Sequence, residues 1–125
     1  DLVNLVQTWN DVDEAVRISI GSNGYKETVG WDNIYAFFKA STAADWKDYT
    51  NYKVERSNWH VKIYSRSALV FFDQRMHFEY RGEAMNTHSK ELRMLEKVKG
   101  EWKITLLQWI DMSFFEKGET DVKTF

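Results

Sequence analysis

Ala68-Leu69-Val70-Phe71-Phe72-Asp73-Gln74-Arg75-Met76-His77-Phe78-Glu79-Tyr80, followed by Arg81-Gly82-Glu83-Ala84, opens the stretch that decides the fold. Residues 86–97 and 102–112 continue it, separated by Val98-Lys99-Gly100-Glu101. Long runs rich in β-branched and aromatic residues, broken by glycine-bearing turns, read as three strands of an antiparallel meander. A two-residue Gly82-Glu83 loop puts glycine at the first central position, as a type II′ turn requires. Counting outward from it, His77 opposes His88, Gln74 opposes Glu91 and Phe72 opposes Arg93. Because side chains alternate between faces, Val70, Phe72, Gln74, Met76 and Phe78 share one face, and Asp73, Arg75, His77 and Glu79 the other. The first face is the more apolar. It is expected to meet the helices and to carry Gln74, Glu91 and Arg93 inward with it.

The second turn leaves two registers open. A two-residue Lys99-Gly100 loop turns Ile104, Leu106, Gln108 and Ile110 inward. A three-residue loop turns Leu107, Trp109 and Asp111 inward instead. Periodicity does not choose between them, since a slip of one residue flips a whole strand.

Working outward, residues 1–9 read as a short helix with Leu2, Leu5, Val6 and Trp9 on one face. Residues 15–20 alternate as a strand. Gly21-Ser22-Asn23-Gly24 is a turn by composition, and it lacks the Lys and Ser/Thr that complete a phosphate-binding loop. Residues 26–29 are extended as far as Gly30. Residues 31–40 form a helix with Ile34, Phe37 and Phe38 on its buried stripe. A polar connector over 41–50 leads to a strand at 51–66. The charged tail, 116–125, is expected to fray.

Composition bounds the function classes. The 125 residues suit one domain, 1–125, with an ordinary hydrophobic core. Aromatic residues make up 16%, a surplus that fills a core and also suits a pocket for a flat apolar ligand. The net charge of −2, without a basic stripe, argues against a nucleic-acid partner. No apolar run approaches the ~20 residues of a membrane span, so a soluble protein is expected, cytoplasmic or exported after signal removal. The absence of cysteine excludes disulfides and thiolate chemistry.

Several segments together resemble the nuclear transport factor 2-like superfamily, which includes SnoaL-like polyketide cyclases and ketosteroid isomerases. They are Asp1-Leu2 opening a helix, Val29-Gly30 followed by Ile34 and Phe37-Phe38, Phe78-Glu79-Tyr80-Arg81-Gly82, and Arg93-Met94-Leu95-Glu96 before Gly100-Glu101-Trp102-Lys103-Ile104. The resemblance implies an α+β fold: a cone-shaped barrel of strongly curved antiparallel sheet closed by N-terminal helices (the cystatin-like arrangement). It also implies a pocket on the helix side and a homodimer through the outer sheet face. The family's first helix is longer than the segment at Asp1, so the chain reads as truncated there. Isomerase chemistry carries over poorly. The position matching the general base is Ile18, the oxyanion-hole tyrosine falls before Asp1, and only the second oxyanion acid has a match, Glu91. An aromatic pocket residue of the family falls near Trp109 to Asp111.

The site expected from these readings is a mostly apolar pocket that takes a small molecule without a cofactor or metal. Trp31, Phe37, Phe38, Gln74, Met76, Phe78, Arg93 and Trp109 are its candidate ligand-binding residues. Glu91 and Asp111 are candidate catalytic carboxylates, because an interior carboxylate among apolar neighbours can act as a general acid or base. The competing expectation is that Glu91 and Arg93 pair and cancel. His77 facing His88, with Glu79 nearby, suggests a metal site only weakly, since that face is expected to point outward. A protein-interaction role for the outer face around Asp73, Arg75 and His77 is the third alternative.

Overall fold

The computed structural model describes residues 7–43 and 46–116. In chain order the elements are β1 (Val16–Gly21), β2 (Gly24–Val29), α1 (Trp31–Ala43), a 3-10 turn (Trp46–Asp48), β3 (Tyr49–Ile63), β4 (Ser67–Tyr80), β5 (Glu83–Val98) and β6 (Glu101–Asp111). A further helical turn covers residues 112–116. Of the helix expected over 1–9, residues 7–8 are helical, Trp9 instead forms an isolated parallel bridge with Ile104, and residues 1–6 lie outside the described residues, as does the tail beyond 116.

One six-stranded sheet runs in the order β2-β1-β6-β5-β4-β3. Every neighbouring pair is antiparallel except β1 with β6, which is parallel. The expected closed, wholly antiparallel barrel is therefore corrected to an open, mixed sheet with β2 and β3 at its edges. The reason lies in β1: its neighbour is the last strand, more than 80 residues away in sequence, and no local pattern announces that pairing.

Both hairpins of the meander turn on two residues with positive φ, Arg81-Gly82 (50° and 82°) and Lys99-Gly100 (51° and 82°). Two left-handed residues make a type I′ turn, whose twist matches that of the flanking strands. The first turn thus sits one residue earlier than expected, so Phe72 opposes Glu91, Gln74 opposes Ser89 and His77 opposes Asn86. Moving a turn by one residue moves each partner by two, which preserves the face. Phe72, Gln74 and Glu91 accordingly do share the helix side, and all three are buried.

At the second turn, both alternatives hold in part. The two-residue loop points Ile104 inward. A bulge then inserts Thr105, because Leu95 pairs with Ile104 while Met94 pairs with Leu106. Beyond a bulge the alternation reverses. Leu107, Trp109 and Asp111 therefore face the same way as Ile104, and Thr105 Oγ1 donates to the Met94 carbonyl at 3.3 Å.

Helix α1 begins after Gly30, which adopts φ 88° and donates its N–H to the Ala15 carbonyl. Trp31, Ile34 and Phe38 recur at helical spacing on the face turned to the sheet. Together with Trp9, Ala15, Ile104, Leu95 and Leu107, they form the core.

Candidate functional site

Across the sheet, the helix-side residues line up in rows. Ser19, Trp109, Glu91 and Phe72 form one row, and Arg17, Leu107, Arg93 and Val70 the next. Glu91 is 8% exposed and Gln74 7%. A buried carboxylate needs a partner, and Arg93, two residues along the same strand and so on the same face, supplies it. Its Nε and Nη2 donate to Glu91 Oε2 at 2.9 and 2.7 Å. The Arg93 guanidinium also lies 5.1 Å from the centre of the Phe72 ring. On the neighbouring strands, Arg56 Nε donates to Gln74 Oε1 at 2.9 Å.

Between α1 and this part of the sheet is a cavity of about 210 Å³, lined by Arg17, Phe38, Glu91, Leu107 and Trp109. A second hollow of about 270 Å³ shares Arg17 and Trp109 with it and reaches outward past Phe37, Lys26 and Asp111 to the turn at 21–24. The two hollows adjoin at Arg17 and Trp109 and are treated together as one cleft, with Phe37 and Phe38 on the helix side and Leu107, Trp109 and Asp111 on the β6 side. At its outer end, Gly21 lets β1 approach β6 closely: a Cβ there would stand 2.9 Å from Asp111 Cβ. Asp111 Oδ1 accepts the Ser113 N–H at 3.1 Å, fixing the carboxylate at the rim.

Of the residues expected in the pocket, the structure brings Glu91, Phe37, Phe38, Trp109 and Asp111 to this cleft, with Arg93 behind Glu91. The others lie elsewhere. Trp31 packs in the core, 6.3 Å from Trp9 and 5.8 Å from Tyr35 between ring centres. Gln74 and Met76 contact each other on β4. Phe78 stacks on Tyr52 near the far hairpin. His77 and His88 do not face one another, because the register differs by two residues. His77 Nδ1 instead meets Asn86 Oδ1 at 2.5 Å. On the side away from α1, His88 lies between Asp73 (Nε2 to Oδ1, 3.0 Å) and Glu116 (Nδ1 to Oε1, 2.6 Å).

Sequence reasoning missed Arg17. The apolar members of β1 are Val16, Ile18 and Ile20, and alternation suggests that they meet the helix. The structure turns Ala15, Arg17, Ser19 and Gly21 that way, and Ile18 points to the opposite face. The available signal was the run of small residues around Arg17, which leaves room for a helix and a cleft. The Arg17 guanidinium carbon sits 4.2 Å from the Phe37 ring centre and 5.6 Å from that of Phe38. Its Nε is shut off from solvent without a hydrogen-bond partner. Burial pushes this guanidinium below its ordinary value while the Glu91 carboxylate acts in the opposite direction. Arginine remains charged through both.

A larger hollow, about 450 Å³, lies against the other side of the β-bulge, bordered by Asn10, Val16, Met94, Glu96 and Thr105. Neither Glu91, Arg17 nor Trp109 reaches it, so its size does not make it the better site.

The sheet order, the covering helix and the cleft beneath it define a nuclear transport factor 2-like fold. A superfamily protein of that kind from Salmonella enterica serovar Typhimurium matches with a TM-score of 0.69 at 19% identity, over 89% of this chain and 77% of that one. One of unknown function from Shewanella oneidensis matches at 0.62 and 22% identity, over 89% and 84%. One with a cystatin-like fold from Novosphingobium aromaticivorans matches at 0.69 and 13% identity, over 90% and 70%. No family model matches the sequence, and no curated protein matches it. Likeness at these identities establishes the fold alone; activity must be argued from the site. Among the described residues, no helix is long and apolar enough to cross a membrane.

Proposed function

We propose that this protein binds a small, mostly apolar molecule in the cleft between α1 and strands β1, β6 and β5. The observation that carries the reading is the lining of the cavity: Phe38, Leu107 and Trp109 offer apolar surface beside two ionic groups, Arg17 and Glu91, the latter held in place by Arg93. Apolar walls with a few fixed polar groups are what small-molecule sites have in common. The Arg93 clamp favours ligand orientation over proton transfer, because two Arg93 N–H groups already occupy Glu91 Oε2. Catalysis through Glu91 or Asp111 is the less supported use of the same cleft. The test is a thermal-shift screen against hydrophobic carboxylates, ketones and aromatic lactones. A ligand at a hundred times its Kd stabilises by about 2.7 kcal/mol. A Leu107→Phe variant, which fills the cavity, should lose that shift. No shift with any compound, or an equal shift in the filled variant, counts against the reading.

A second reading is self-association through the face away from α1, giving a homodimer. It is supported by Phe71 and Met94, which are 41% and 40% exposed on that face. Sedimentation analysis of the wild type and of Phe71→Lys distinguishes a dimer that dissociates from a monomer that does not change.

A further inference from the structure

Arg17 is more than a wall of the cleft. Its guanidinium borders both hollows and rests on the Phe37 ring. One of its N–H groups is already stranded without an acceptor. A buried donor left unpaired is unfavourable, and a charged one more so. The neighbouring Glu91 favours the Arg17 charge but leaves Nε unpaired, and the two hydrogen bonds at Glu91 Oε2 come from Arg93. The rim adds Lys26, and the rim carboxylate of Asp111 is engaged by the Ser113 N–H. Counted over the cleft and the clamp behind it, Arg17, Lys26 and Arg93 outnumber Glu91 and Asp111 by one. With Lys26 and Asp111 offsetting one another at the rim and Arg93 paired with Glu91, the uncompensated charge is that of Arg17, which borders both hollows beside the apolar side chains.

From this we infer that the cleft is built for an organic anion: an aromatic or aliphatic carboxylate whose charged end meets Arg17 and whose body lies along Phe38, Leu107 and Trp109. The inference rests on the reading of the cleft as a ligand site and narrows its ligand class. A planar guanidinium suits a carboxylate because it offers parallel N–H donors at matching spacing. Phe37 beneath it holds the guanidinium plane and excludes water from one side.

The experiment compares each acid with its own primary amide. The probes are 3-phenylpropanoate and 1-naphthylacetate at pH 7, against 3-phenylpropanamide and 1-naphthylacetamide. Affinity is read from the chemical-shift change of the Trp109 indole N–H on titration. An ion pair in place of a charge–dipole contact with the same guanidinium should make each acid roughly tenfold tighter than its amide. Arg17→Met keeps the stem against Phe37 and should abolish that preference while leaving amide binding within about twofold, the span expected when only a charge contact is lost. Lys26→Gln, at an exposed position, should reduce the preference by about two- to threefold. Should Arg17→Met not fold, the acid-to-amide ratio in the wild type and its change in Lys26→Gln carry the test. Equal binding of acid and amide, or an undiminished preference in Arg17→Met, overturns the anion assignment and leaves the ligand site standing. Failure of all four probes to shift Trp109 at millimolar concentration overturns both.

Discussion

The two halves of the sheet are built differently. Under α1, strands β1 and β6 and the adjoining part of β5 carry the apolar core, and Ile34 is wholly buried against them. In the β3–β4 half, the same face continues but no described element covers its outer strand. Val54, Arg56, Trp59, Val61 and Ile63 all point to the helix side of β3, and every residue of that strand is exposed. Two bulges reverse the alternation along β3, one before Lys53 and one before His60. Asn51 and Asn58 adopt φ 55° and 54°, each inserting one residue, so that Tyr52 comes to lie on Phe78 and Trp59 on Phe72. Asparagine tolerates the left-handed conformation better than most side chains. The contrast teaches that patterning alone does not stabilise a strand face; a covering element does.

What replaces the core in the second half is a polar network on the opposite face. Asn58 Nδ2 donates to Asp73 Oδ2 at 2.6 Å, His88 meets Asp73 Oδ1, and Lys90 lies 3.7 Å from it. Glu116 and the Ser113 hydroxyl, which accepts the His88 N–H at 3.0 Å, attach residues 112–116 to the same place. Strands β3, β4 and β5 and the final helical turn are thus joined at one buried carboxylate.

Three substitutions sharpen this comparison. Ile34→Ala, in the covered half, should lower stability by about 2–5 kcal/mol in urea unfolding, the range for emptying a packed site. A change below 1 kcal/mol would mean that the helix is not seated as described. Asp73→Asn should lower stability at pH 7 by about 1–3 kcal/mol, since it weakens a hydrogen-bonded buried charge. The sign with pH follows from the carboxyl. Asn58 first, then His88 and Lys90, hold Asp73 below the usual carboxylate range, against the opposing effect of burial. Its contribution is therefore fully present above the ordinary aspartate value of about 4 and is lost as pH falls through the lowered value in the folded state. The gap between wild type and Asp73→Asn should close at acid pH, and a gap that widened there would refute the network. Val61→Ala, at a site 53% exposed, should change stability by no more than about 0.5 kcal/mol. A loss approaching that of Ile34→Ala would show that this half is covered in solution.

Much of the meander was legible because its signals are local. Strand length, alternation and glycine-bearing turns lie within a few residues of one another. Even the misplaced first turn kept Phe72, Gln74 and Glu91 on the right face, since a turn error of one residue shifts partners by two. The second hairpin was harder. The two candidate loops imply opposite facings, and the actual chain takes the short loop and then reverses the facing at Thr105, a bulge that no residue type announces. The cleft was half legible for the same reason. Glu91, Arg93 and Trp109 belong to the meander, whereas Arg17 arrives from a strand whose partner is distant in sequence.

Alternation and turn chemistry, acting over short spans, determined that a three-stranded meander exists and that Glu91 and Arg93 occupy one side of it. Only the tertiary structure decided that β1 joins β6 in parallel, that the sheet stays open, and that Arg17 rather than Ile18 looks into the cleft. Those outcomes depend on which distant backbones share hydrogen bonds and on where α1 finds apolar surface to bury, and neither quantity is written in the period of any one segment.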